Sequence, residues 1–155
     1  MKLAVVTVSD RASSGVYEDK SGPAIVAALR SRFPDAEIDY EVVPDGVEPV
    51  VASFARHDHA DWILTTGGTG PAPRDQTPEA TVRWCDRMLP GVAEYLRSRS
   101  LEQTPYAVFS RGVAGMRGSQ FVVNFPGSVE AAEFCVGLLL PLLEHGVAMA
   151  RGKGH

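Results

Sequence analysis

Short apolar runs and helix-patterned segments alternate along the whole chain, and this alternation restricts the fold more than any other feature. Lys2 to Ser9 (KLAVVTVS) is rich in valine and alternates little, which predicts a strand buried on both faces. Pro23 suits a first helical turn, and Ala24 to Phe33 continues the helix until Pro34 and Asp35 end it. Glu37 to Val43 interleaves polar residues and predicts a less buried strand at a sheet edge. Val47 to His57 places Val47, Val50, Val51 and Phe54 on one helical face, and Trp62 to Thr66 is a further buried strand.

Thr77-Pro78-Glu79 opens the next helix, with Thr77 as its N-cap and Pro78 in its first turn. A break at Leu89-Pro90-Gly91 precedes a helix to about Glu102. Tyr106 to Arg111 predicts a strand, Gly112 to Gly118 a loop, and Phe121 to Asn124 a strand. Ser128 caps a final helix to about Ala150, which Pro141 should kink. The expected fold class is α/β: a three-layer, mostly parallel sheet with helices on both faces, formed by residues 1–155 as one domain.

In such sheets ligands bind outside the carboxyl ends of the strands. The loops leaving those ends begin after Ser9, Val43, Thr66 and Asn124. They carry Asp10, Asp45, the Gly67–Asp75 segment and Pro126-Gly127, so all of these should converge on one rim. The strongest local signal is TTGGTGPAPRDQTPEA, Thr65 to Ala80. Gly67, Gly68 and Gly70 allow tight turns and close ligand approach. Backbone N–H groups of such a loop can cradle an anion, although the segment is neither a Walker A nor a dinucleotide-binding GxGxxG motif.

Asp75 fits either a helix cap or a Mg2+ ligand beside substrate phosphates, and Arg74 next to it suits a phosphate. Asp45 and Asp10 each fit either a helix N-cap or a further carboxylate on the same rim. Ser110 and Arg111 close the expected strand at an exposed end or contact an anion. Asn124 satisfies local backbone or faces a ligand. His57-Asp58-His59 lacks a third ligand nearby in sequence and reads as a solvated helix end. Cys85 and Cys135 read as small core residues within helices, and their wide separation without CxxC points to a reducing, cytoplasmic setting.

Composition removes other classes. The net charge is −4, and the twelve arginines are scattered from Arg11 to Arg151, so no basic stripe for nucleic acid emerges. The N-terminus has too short an apolar run for a signal peptide, and VGLLLPLL near the C-terminus is too short to span a bilayer.

Five segments also match a known family in order and spacing: VSDRASSGVYEDKSGP, VVPD, TTGGTGPAPRDQTPEAT, SRGVAGMRGS and VNFPGS. From Leu3 to about His145 the chain resembles the Mog-type molybdopterin-binding family, which includes molybdopterin adenylyltransferases and the gephyrin G domain. The resemblance implies the molybdopterin-binding fold, a homotrimer, and adenylyl transfer from Mg-ATP to the terminal phosphate of molybdopterin with release of pyrophosphate. It implies Asp45 and Asp75 as the essential aspartates tied to Mg2+ and the pterin. It assigns Gly67, Gly68, Thr69 and Gly70 to the nucleotide and phosphate pocket, with Asp10, Pro126 and Gly127 on neighbouring rim loops. Ser110, Arg111 and Asn124 fall on the pterin side. A molybdotransferase is the implied downstream partner. The alternative is a carrier that binds molybdopterin without adenylylating it. Where many relatives read Pro-Gly-Asn-Pro or Pro-Gly-Ser-Pro, this chain has Pro126-Gly127-Ser128-Val129, which loosens the entry to the last helix.

Overall fold

The computed structural model describes residues Met1–Lys153. Its centre is a six-stranded sheet in the order β2-β1-β3-β6-β5-β4. The strands are β1 (Lys2–Val8), β2 (Glu37–Val43), β3 (Trp62–Thr66), β4 (Arg87–Met88), β5 (Ala114–Arg117) and β6 (Gln120–Phe125). β1 pairs in parallel with β2 and β3, and β3 with β6; β5 and β4 extend the sheet in antiparallel fashion. The interleaved polar residues of Glu37–Val43 are explained by its place at the edge.

Among the described residues seven α-helices surround the sheet: α1 (Asp10–Ser13), α2 (Ser21–Arg32), α3 (Val47–Arg56), α4 (Thr77–Trp84), α5 (Pro90–Ser100), α6 (Val129–Leu139) and α7 (Leu143–Ala150). The period of two along each strand sorts the core into two layers. Leu3, Val5, Leu64 and Val123 pack with Ile25 and Leu29 of α2, Leu96 of α5 and Val136 and Leu139 of α6. Ala4, Val6, Ile63 and Val122 point the other way, onto Val50 and Phe54 of α3 and Ala80 of α4. Burial of these aliphatic and aromatic side chains, about 1.5–3 kcal/mol each, dominates the favourable side of folding.

Pro141 breaks the last helix as expected: a 3-10 turn, Leu140–Leu142, separates α6 from α7. Ser128 caps α6 by accepting the Ala131 N–H at 3.3 Å, so the cap survives without the proline at position 129. The stretch Val129–Ala150 is long and apolar enough by length and composition to cross a membrane. Here its inner face is core: Cys135, Leu139 and Leu143 are buried, and the Leu143 carbonyl accepts the Trp62 indole N–H at 3.2 Å.

Several expectations are corrected. Tyr106–Arg111 is not a strand: Thr104 accepts the Tyr106 N–H, Pro105 fixes φ, and a 3-10 helix runs Pro105–Phe109 with Tyr106, Val108 and Phe109 exposed. The strand lies in the expected loop instead, as Ala114–Arg117, where Gly115 admits the carbonyl of Arg87. Ser9 caps a short helix, α1, in the loop expected after it, and α2 starts at Ser21, ahead of Pro23. Thr77 does not cap α4; the N-cap residue is Gln76, and Thr77 is fully buried. Cys85 follows α4 rather than lying in it and is half-buried, whereas Cys135 is a buried residue of α6.

Candidate functional site

The four parallel strands end level with one another. Val8 stands opposite Val43, Thr7 opposite Thr66, and Thr66 opposite Phe125. The chain leaves β1 toward β2 on one side, then returns to place β3 on the other, so the strand order reverses between β1 and β3. That reversal opens the crevice in which α/β sheets bind ligands. The loops carrying Asp10, Asp45, Gly67–Asp75 and Pro126-Gly127 meet there and line two adjoining cavities of about 540 and 320 Å3.

The glycine segment is held rigidly where it leaves β3. Gly67 has φ +99° and Gly68 φ +66°, both in the left-handed region that glycine alone enters freely. A Cβ on Gly67 would sit 2.3 Å from the Val8 carbonyl oxygen, and one on Gly68 the same distance from Thr77 Oγ1. Thr77 Oγ1 donates to the Gly67 carbonyl at 2.9 Å, and the Thr77 N–H to the Gly68 carbonyl at 3.1 Å. Buried Thr77 thus tethers the loop, a role its sequence position as an apparent helix cap concealed. Among the described residues the N–H groups of Gly68, Thr69 and Gly70 meet no protein acceptor, leaving three donors for an anion.

Asp10 and Asp45 bind each other's backbone reciprocally: each backbone N–H donates to the other's carboxylate at 3.0 Å. Asp45 therefore does not cap α3, whose N-cap is Gly46. Asp75 does not cap α4 either; its Oδ2 accepts the Ala72 N–H at 3.1 Å and closes a turn within the loop. The Asp45 carboxyl lies above its usual range, raised by burial and by the negative charges of Asp10 and Asp75; the Asp10 N–H and Arg74 partly offset this. Asp10, Asp45 and Asp75 line the same cavity, and each offers the carboxylate oxygens that Mg2+ takes. Arg74 lies on the same cavity and pairs with no carboxylate among the described residues.

The remaining predicted residues divide by position. Thr69, Gly70, Ser110, Asn124 and Pro126 line the larger cavity, Asp10 and Asp45 the smaller, and Gly68, Asp75 and Gly127 both. Arg111 lies behind the loop, outside the lining of either cavity. Its guanidinium donates to the Gly70 carbonyl at 2.9 Å, the Asp75 carbonyl at 2.5 Å and Glu79 at 2.5 Å. It braces the segment that carries Asp75. Asn124 is 5% exposed; its amide donates to Thr65 and Thr81 at 3.0 and 2.9 Å and accepts the Val113 N–H at 3.2 Å. No local sequence signal singles out Asp19. It accepts from Thr7, Ser21, Tyr40 and the Gly22 N–H, fixing the α1–α2 connection against the smaller cavity.

Fold and rim together define a doubly wound α/β domain whose ligand crevice is acidic on one side and rich in free backbone N–H groups on the other. Residues 4–145 match the family described as "Probable molybdopterin binding domain", and the chain belongs to that family. It is 40% identical to the molybdopterin adenylyltransferase of Helicobacter pylori J99, over 97% of this chain and 88% of the relative. Among solved structures, the molybdopterin biosynthesis enzyme MoaB from Thermus thermophilus superposes with a TM-score of 0.87 at 40% identity, covering 98% of this chain and 97% of that one. The tungsten cofactor synthesizing protein MoaB from Pyrococcus furiosus gives a TM-score of 0.87 at 35% identity, over 97% and 96% of the two chains.

Proposed function

We propose that this chain is a molybdopterin adenylyltransferase of cofactor biosynthesis, transferring AMP from Mg-ATP to the terminal phosphate of molybdopterin. The observation that carries this reading is the meeting of the two cavities at Gly68, Asp75 and Gly127. Two ligands seated on either side of that junction bring their phosphates together at the glycine loop. The larger cavity, with Ser110 and Asn124, takes the pterin. The smaller takes the nucleotide phosphates against Asp10 and Asp45.

A phosphate oxygen of molybdopterin attacks the α-phosphorus of ATP; the bond to the β-phosphate oxygen breaks, and pyrophosphate leaves with its electron pair. The chain's contribution is positioning and charge neutralisation, so no covalent nucleophile is required. The N–H groups of Gly68, Thr69 and Gly70 bind phosphate oxygens, and Arg74 adds a cation. Asp45 and Asp75, with Asp10 alongside, would hold Mg2+, which when bound neutralises charge on the phosphates. Arg111 and Thr77 keep the loop in register.

The protein acts as a homotrimer in the cytoplasm and passes its adenylylated product to a molybdotransferase. The exposed apolar side chains of Tyr106, Val108, Phe109, Leu142 and Met149 support self-association, and the free cysteines Cys85 and Cys135 suit a reducing compartment. Incubation with molybdopterin and Mg-ATP, followed by mass spectrometry, is expected to yield adenylyl-molybdopterin. Tight molybdopterin binding with no adenylylated product would assign the chain to the carrier class.

A further inference from the structure

The segment His57-Asp58-His59 ends α3 with Asp58 and His59 exposed, as its sequence suggests, but His57 departs from that reading. His57, the C-cap of α3, is only 9% exposed, and Asp39 of the neighbouring edge strand β2 supplies the third group that the local sequence lacks. Asp39 Oδ2 lies 3.6 Å from His57 Nδ1 and 3.0 Å from His59 Nε2. One ligand atom from each of the three residues lies within 4.8 Å of the others.

The other nitrogen of His57 orients the ring. His57 Nε2 is 3.1 Å from Glu41 Oε2, and Glu41 also accepts from Ser53 at 2.7 Å and from Arg56 at 2.5 Å. A carboxylate only accepts, so the Nε2–H points at Glu41 and Nδ1 is the ring atom turned toward Asp39. That Nδ1 is buried and, among the described residues, is the side-chain polar atom left without a hydrogen-bond partner. It faces a carboxylate oxygen at 3.6 Å, beyond hydrogen-bond range. A divalent cation seated between the two atoms would be held by both, in place of a proton on Nδ1. Ligand atoms about 2.0–2.2 Å from a tetrahedral metal stand roughly 3.3–3.6 Å apart; His57 Nδ1 and Asp39 Oδ2 are spaced in this way at 3.6 Å, while the His59–Asp39 contact, a hydrogen bond at 3.0 Å, would open slightly to admit the ion. The carboxylate–histidine arrangement on the far nitrogen is the outer-shell partner that metal-bound imidazoles use to fix their tautomer.

We propose that Asp39, His57 and His59 form a binding site for a single zinc-like divalent cation. Two imidazoles and one carboxylate select a late first-row metal over Mg2+ and leave a fourth position to water. The negative end of α3 favours a cation there. Asp39 and His59 are each about half exposed, so the site opens to solvent. It lies near the amino ends of the strands, where Asp39 pairs with Ala4; Val43 is four positions further along β2, which puts the site roughly 13 Å from the crevice rim. The ion would clip the edge strand to α3, independently of adenylyl transfer.

The full chain, stripped of metal with a chelator, should be titrated with Zn2+ alone and with Co2+. The wild type is expected to bind Zn2+ at this site, to melt at a higher temperature with it, and to show the visible d–d absorption of tetrahedral Co2+. His59→Ala changes an exposed side chain and should fold normally, yet bind Zn2+ at least tenfold more weakly and lose both the thermal shift and the Co2+ spectrum. Asp39→Asn should behave alike. Equal Zn2+ affinity and Co2+ spectra in wild type and both variants would overturn the site, as would the absence of stoichiometric binding by the wild type.

Discussion

Replacing Gly67 by alanine isolates what holds the glycine loop against the sheet. At φ +99° any L side chain is strained, at a cost of about 1 kcal/mol. The new Cβ would also lie 2.3 Å from the Val8 carbonyl, an atom fixed in a central strand that cannot retreat. The loop must move instead. That movement breaks the bond from the Gly67 N–H to the Phe125 carbonyl and the one from Thr77 to the Gly67 carbonyl, each contributing about 1 kcal/mol. The sum is about 3–4 kcal/mol, or a drop in Tm of about 10 °C for a domain of this size. Gly118 is the control: its φ is +58°, but nothing lies within 4 Å of its Cβ position. Gly118→Ala should cost only about 1 kcal/mol. Urea unfolding of both variants beside the wild type reads the difference directly. Equal losses for the two would refute the argument that close approach to Val8, rather than φ alone, demands glycine at position 67.

Two further outcomes follow from the acidic rim and its brace. Native Asp45 keeps its proton to a higher pH than in the unfolded chain, so stability falls as pH rises through that interval and its ionised form opposes folding at neutral pH. Asp45→Asn retains an acceptor for the Asp10 N–H; after solvent screening it should gain about 0.5 kcal/mol at pH 7, seen as a slightly higher Tm, while abolishing adenylyl transfer. Arg111→Lys loses the fork that spans Gly70, Asp75 and Glu79, and should lower kcat by about ten- to a hundredfold with little change in Tm, checked by steady-state kinetics and calorimetry.

The parts of the fold that were legible are those in which local pattern and tertiary environment agree. β1, β3 and β6 are buried on both faces, so their apolar runs announce them, and their common direction predicts the convergence of four loops. Tyr106–Phe109 misleads because its β-favouring side chains are exposed and the turn is set by Thr104 and Pro105. Ala114–Arg117 is hidden because it includes Gly115, which the packing of Arg87 and Cys85 requires to be small. At the site, the residues on strand-end loops could be placed from topology alone. The brace of Arg111, the tether of Thr77 and the reciprocal Asp10–Asp45 pair depend on contacts 10–41 residues apart, which no local spacing encodes. His57 is misread for the same reason: Asp39 and Glu41 reach it from the adjoining strand.

Pyrophosphate release from Mg-ATP, measured with and without molybdopterin for wild type and Asp75→Ala, tests the central claim most directly. The two-cavity account predicts release that requires molybdopterin and falls by orders of magnitude in Asp75→Ala, whose circular dichroism and Tm stay close to wild type. Release that proceeds without molybdopterin, or that survives undiminished in Asp75→Ala, would contradict it.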